Sequence, residues 1–212
     1  PDKAWKKKKF KHDWYGGDSI AVSIGQGYLT TTPIQMAKVY LVLGNGGYRY
    51  KVNVAREVRD KKGRVLKRFE PVLEEKVPIN PQHLSWLHEG LRQAVEIGTG
   101  KAARVPGIQV YGKTGTAQVV ALEKKRANLE HHAWFVSFAG NDSIDIVTSV
   151  LIEHGGHGGQ AAAPITGELY RAYYGLPLQR KQKEKEGEEE PSEESPLEFP
   201  SILPHQEEME AQ

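Results

Sequence analysis

The chain contains no cysteine among its 212 residues, which excludes disulfides and thiolate metal sites. That absence leaves a reducing and an oxidising compartment equally open. No apolar run approaches the roughly 20 residues that cross a bilayer as a helix, and no secretory leader is read in it. An initiator methionine is missing as well: the chain starts at Pro1, so a fragment or processed product is expected. Any anchor or export signal is then expected outside it. A serine nucleophile is also lacking. No serine has Lys three residues later, and no Ser-x-Asn occurs. A serine activated by its own lysine needs the first spacing on a helical turn, so no nucleophile is identifiable.

What is present is ordinary for a globular domain: 38% hydrophobic and 26% charged residues, with a net charge of +2. That net charge hides an asymmetry. From Gln179 onward there are four basic and eleven acidic residues, against 25 basic and 16 acidic before it. The body, residues 1–176, is expected to fold. The tail, residues 177–212, has too little apolar content to order itself. The densest basic cluster, Lys6 to Lys9 plus Lys11, lacks the aromatic repeat of a nucleic-acid binder and reads as a solvated segment, so no nucleic acid is expected.

Pro1 to Gly27 is polar and glycine-punctuated and reads as loop, with Asp18 a turn residue. Thr32-Pro33-Ile34-Gln35 then has the capping-box spacing of a helix start. Ile34, Met36, Val39, Tyr40, Leu41 and Leu43 supply its apolar face, and Gly44 to Gly47 stop it. Alternation from Tyr50 to Asp60 reads as a strand turning at Lys61-Lys62-Gly63 into Arg64 to Phe69. Asn80-Pro81 opens a second helix. Gln109 to Val120, Ala133 to Ala139 and Ile144 to Ile152 read as strands, the last two antiparallel, with a charged surface excursion from Leu122 to His132. Gly155 to Gly159 reads as a flexible turn before a closing helix, Ala162 to Tyr174. Helices on a largely antiparallel sheet make an α+β fold. Trp134, Phe135 and Phe138 are expected in its core.

Lys113-Thr114-Gly115-Thr116 is the strongest chemical signal. A glycine inside a strand marks close approach by a ligand. The lysine, two hydroxyls and an open backbone N–H are the groups that hold a carboxylate and a developing oxyanion. Gly107 to Thr114 also matches the phosphate-binding pattern G-x-x-x-x-G-K-[ST] letter by letter. That pattern needs a strand before it and a helix after it. Here Ala103-Arg104-Val105-Pro106 precedes it and a strand continuation follows, so nucleotide binding is the remote alternative. His131, His132, His154 and His157 read as loop histidines, because glycines around Glu153, His154 and His157 give a metal no rigid platform. No cofactor is expected.

The order of motifs resembles the transpeptidase domain of class B penicillin-binding proteins. Gly17-Asp18-Ser19, Ser23-Ile24-Gly25-Gln26-Gly27 and Thr32 to Ala37 look like that family's GD(T/S)…IGQG…TP(I/L)QMA stretch. Gly98 to Ala103, Tyr111 to Val119, His132 to Ala139 and Gly155 to Pro164 look like its later segments. Lys-Thr-Gly is one of the family's three motifs. Trp5-Lys6, Trp14-Tyr15 and Gly17-Asp18 make the elongation type, penicillin-binding protein 2, the nearest resemblance. The likeness implies an incomplete penicillin-binding, serine β-lactamase-like fold. It also implies part of a D,D-transpeptidase that cross-links peptidoglycan stem peptides ending in D-Ala-D-Ala and binds β-lactams. Lys113 and Thr116 would be catalytic, and Thr114, Gly115 and Thr116 would bind substrate. A membrane glycosyltransferase is the implied partner. The periplasmic face of the cytoplasmic membrane is the implied location, held by an anchor outside this chain. The missing Ser-x-x-Lys and Ser-x-Asn predict that the chain alone is inactive. A catalytically dead ligand-binding or scaffolding domain of the same fold is the alternative.

Overall fold

In the computed structural model, which describes residues 1–117 and 130–178, the first 27 residues hold two helices where loop is expected. Helix α1 (Lys3–Phe10) starts on Asp2, whose Oδ1 accepts from the Trp5 N–H at 2.7 Å. Helix α2 (Gly16–Ser23) starts at Tyr15, whose N–H donates to Asp18 Oδ2 at 2.7 Å. Two glycines at its head conceal α2 from propensity, and tertiary contact supplies what propensity lacks. Lys6 is only 4% exposed. Its Nζ donates to Asp18 Oδ2 at 2.6 Å and lies 4.7 Å from the Tyr15 ring centroid. Lys6 is thus not part of a solvated segment, and Asp18 is an ion-pair partner rather than a plain turn residue. Asp18 is held below the usual carboxylate range, first by the hydrogen bond from Lys6 and then by that from the Tyr15 N–H.

Helix α3 (Pro33–Gly44) has the expected capping box: the Gln35 N–H donates to Thr32 Oγ1, and the Thr32 N–H to Gln35 Oε1 at 2.8 Å. The expected strand from Tyr50 to Asp60 is broken. Strand β1 (Tyr48–Tyr50) ends where that expectation begins, and β2 (Glu57–Arg59) pairs with β3 (Val65–Arg68) around a turn at Gly63. β1 pairs instead with β4 (Leu73–Lys76). Both ribbons are largely exposed, so no buried face extends their ladders. Helix α4 (Pro81–Glu96) begins as read, with Asn80 Oδ1 accepting from the Gln82 N–H at 2.9 Å.

The central sheet is antiparallel in the order β5 (Val110–Ala117), β6 (His132–Ala139), β7 (Ile146–Ile152). The end of the first expected strand, from Gln118, and most of the charged excursion lie outside the described residues. Side chains alternate between the faces. Phe135 and Ser137 face helix α5 (Gly158–Tyr173), while Phe138 faces Gly44 at the end of α3. Val95, Val110, Phe135 and Tyr170 form the core with Ala103, Ala162 and Ala163. Phe135 and Phe138 are fully buried as expected, and Trp134 only partly so. Burial of one such ring is worth about 2–3 kcal/mol. At the centre, the Ser137, Thr148 and Tyr170 hydroxyls hydrogen-bond one another at 2.7–3.0 Å.

Helix α5 starts four residues earlier than expected, and the glycines at its head are packed rather than flexible. A Cβ on Gly158 would lie 2.1 Å from the Trp134 carbonyl oxygen, and one on Gly159 2.5 Å from that of Thr99. The acidic tail, from Gln179, lies outside the described residues.

Candidate active site

β5 is an edge strand, and Lys113, Thr114, Gly115 and Thr116 follow one another along it opposite Val136, Phe135, Trp134 and Ala133. All four expected site residues therefore share one edge. The phosphate-loop reading fails on the same geometry. Gly107 turns the chain at φ 80°, and Lys113-Thr114 sits in mid-strand rather than at a helix start.

The edge is dressed from outside. The Thr114 carbonyl accepts from Lys113 Nζ at 3.1 Å, and the Thr116 carbonyl accepts from Gln26 Nε2 at 2.8 Å. Carbonyls 114 and 116 thus point away from β6. In an antiparallel strand a residue's N–H and C=O point the same way, so the Thr116 N–H is directed to the open edge as well. Lys113 Nζ also donates to Thr114 Oγ1 at 3.1 Å. Thr114 Oγ1 is further tied to Thr99 Oγ1 at 2.8 Å. A cation, two hydroxyls and an outward N–H accordingly meet within four residues.

Gly115 keeps that edge flat. A Cβ there would approach the Trp134 Cβ to 3.2 Å, while the Gly158 Cα packs against the Gly115 backbone from the side of α5. Contact between the start of α5 and the strand is therefore backbone on backbone. Nothing in it flexes as a side chain would.

Gln26, Thr99, Gly158 and Gly159 also meet the candidate site, in segments that the sequence reading matched by resemblance without giving these residues a role there. Two of them share a signal: Gly25-Gln26-Gly27 and Gly98-Thr99-Gly100 each set one polar residue between glycines. Gly25 and Gly27 have φ of 76° and 69°, values that admit glycine readily and other residues poorly. Gly100 has no room for a Cβ beside the Phe135 ring.

Among the described residues no exposed serine lies on this edge. Ser137, next to the Lys113 partner Val136 on β6, is fully buried beneath the sheet. Its hydroxyl belongs to the triangle with Tyr170, whose phenol is pushed up to about 12 by burial. Two cavities among the described residues, of about 690 and 500 Å³, are lined by other residues, among them Arg104 and Arg171 in the larger.

Comparison with known proteins gives a consistent picture. Residues 3–171 match the family model described as penicillin binding protein transpeptidase domain. The chain is 34% identical over 204 residues to the peptidoglycan D,D-transpeptidase MrdA of Haemophilus influenzae, covering 85% of this chain and 31% of that protein. Among solved structures it resembles a component of a peptidoglycan synthase complex that coordinates polymerization and crosslinking. That match has TM-score 0.69 and 30% identity, covering 85% of this chain and 29% of the other. It also resembles the ceftriaxone acyl-enzyme of penicillin-binding protein A from M. tuberculosis, with TM-score 0.62 and 25% identity over 72% of this chain and 34% of that one. The chain spans about a third or less of the curated relatives it matches.

Proposed function

Because the chain belongs to the penicillin-binding protein transpeptidase family, we propose that it supplies one wall of the active site of a peptidoglycan D,D-transpeptidase. The observation that carries this is the open edge of β5, where Lys113, Thr114, Gly115 and Thr116 present a cation, hydroxyls and an outward N–H. A stem peptide ending in D-Ala-D-Ala lies along that edge as an added strand. A serine outside this chain attacks the penultimate D-Ala carbonyl, and the carbonyl oxygen becomes an oxyanion held by the Thr116 N–H. Collapse breaks the peptide bond and releases terminal D-Ala, whose nitrogen takes up a proton. The amine of a second stem then displaces the serine and forms the cross-link.

Each residue has a part in that sequence. Lys113 stabilises negative charge beside Thr114 and polarises the hydroxyl of a Ser-x-Asn supplied from elsewhere. The Thr114 and Thr116 hydroxyls hold the terminal carboxylate of the peptide or of a β-lactam. One oxyanion donor is worth on the order of 3 kcal/mol in the transition state. The ceftriaxone acyl-enzyme of a similar structure supports β-lactam binding, and the synthase complex supports a glycosyltransferase partner. Peptidoglycan as substrate places the work on the periplasmic face of the membrane. Among the described residues no helix is long and apolar enough to cross a membrane.

The test begins with the coding DNA upstream of the Pro1 codon. In-frame Ser-x-x-Lys and Ser-x-Asn motifs are expected. The complete product should then be labelled covalently by fluorescent penicillin, and Lys113→Ala should slow labelling by about 100-fold or more. The 212-residue chain by itself should not be labelled. A reading frame that closes just before Pro1 would refute this reading and leave a ligand-binding scaffold.

A further inference from the structure

We infer that Gln26 is a positioning residue of this site, one that fixes the direction of the Thr116 backbone; the inference rests on the transpeptidase reading above. Helices α1 and α2 share few contacts with the central sheet, yet Gln26 reaches across 90 residues of sequence to donate to the Thr116 carbonyl at 2.8 Å. The neighbours of Gln26 on both sides are exposed, while Gln26 itself is partly buried.

Its own backbone is held for the task. The Gln26 N–H donates to the Ala21 carbonyl at 2.9 Å at the end of α2, and glycines with positive φ flank it. Lys6 and Asp18 lock α1 to α2 behind it. The strand carbonyl that Gln26 takes belongs to the residue whose N–H faces the reacting oxygen. The ladder pins Gly115 to Trp134 and Ala117 to His132 on either side, and Gln26 restrains the Thr116 carbonyl that this pairing leaves directed outward. With the carbonyl held, the N–H and hydroxyl of Thr116 stay aimed at the edge. Gln26 acts through Thr116 and does not itself touch the reacting atoms.

Glutamine is suited to this because its amide donates at every pH, whereas a carboxylate only accepts. Glutamate at the same position loses the donor when ionised and regains it when protonated, which gives a signature that structural damage does not. The experiment uses the complete transpeptidase, unaltered and as Gln26→Met and Gln26→Glu. It measures the limiting rate of acylation and the noncovalent dissociation constant for a fluorescent penicillin between about pH 4.5 and 8. Gln26→Met is expected to lower the limiting rate about tenfold, less than removal of an oxyanion donor itself, with the dissociation constant unchanged. Gln26→Glu is expected to match it at pH 8 and to approach the unaltered rate at pH 4.5.

Wild-type acylation by both variants at every pH overturns the inference. So does a deficit in Gln26→Glu that is independent of pH, or a loss confined to the dissociation constant, which would make Gln26 a ligand contact. If Gln26→Met fails to fold, the pH ratio of Gln26→Glu decides alone. No acylation of the unaltered protein removes the transpeptidase reading and this inference with it.

Discussion

Gly158→Ala tests whether the site is held by contact between backbones. The added Cβ would lie 2.1 Å from the Trp134 carbonyl oxygen, 2.7 Å from that of Gly115 and 3.2 Å from the Gly115 nitrogen. All three are main-chain atoms of paired strands, so no side chain can swing aside. Ordinary contact requires the head of α5 or the β5–β6 pair to move by about 1 Å. Overpacking of that size costs about 1–3 kcal/mol, and a 1 Å misplacement of reacting groups costs on the order of 100-fold in rate. Guanidinium unfolding should therefore show a lower midpoint with the slope preserved, and acylation of the complete protein should slow more than stability alone explains. Gly90→Ala is the matched control. Gly90 sits inside α4 with nothing within 4 Å of an added Cβ, so this change should stabilise by about 0.5–1 kcal/mol. Equal stability of Gly158→Ala and the unaltered protein would refute the close-packing argument.

Two further predictions concern stability. Tyr170→Phe leaves Ser137 and Thr148 with only each other and should cost about 1–2 kcal/mol. Because the folded phenol titrates near 12, above its ordinary 10, the unaltered protein loses stability as pH rises from about 10 to 12. Tyr170→Phe should blunt that loss in an alkaline denaturation series; parallel curves would speak against it. Asp18 is held below the usual carboxylate range by Lys6, so its contribution is present above about pH 4 and disappears as pH falls further. Asp18→Asn should flatten the acid limb of stability against pH, and an unchanged slope would place the acid sensitivity elsewhere.

Much of the fold was legible because its signals are local. Thr32 with Gln35, and Asn80 with Gln82, satisfy orphan amides within one turn, and Pro81 has no amide to satisfy, so both helix starts fell where read. The three sheet strands were legible from their apolar and β-branched content, and the pairing of the last two from the short link between them. The failures share the opposite cause. Lys6 and Asp18 look like surface residues until tertiary contact joins them across twelve positions. Gly158 and Gly159 carry the composition of a loop, because composition does not separate glycine that bends a chain from glycine that lets two chains touch. At the site, Lys113 to Thr116 could be read from motif and strand pattern. Gln26 and Thr99 could not be paired with Thr116 and Thr114, since no periodicity links residues so far apart.

The Gln26–Thr116 hydrogen bond has a consequence for the order in which the site is completed. The β5–β6 hairpin closes between Ala117 and His132, 15 positions apart, whereas the Gln26 tether closes 90. Chain-closure entropy grows with the logarithm of length, and this ratio makes the longer closure costlier by about 1.6 kcal/mol. The hairpin thus has the advantage in forming, and its outer edge waits on the amino-terminal helices. A ligand that favours the tethered edge contributes its binding energy to that last closure. Amide exchange at Ala117 and along α2 should then slow together when the edge is occupied, two distant segments protected as one unit.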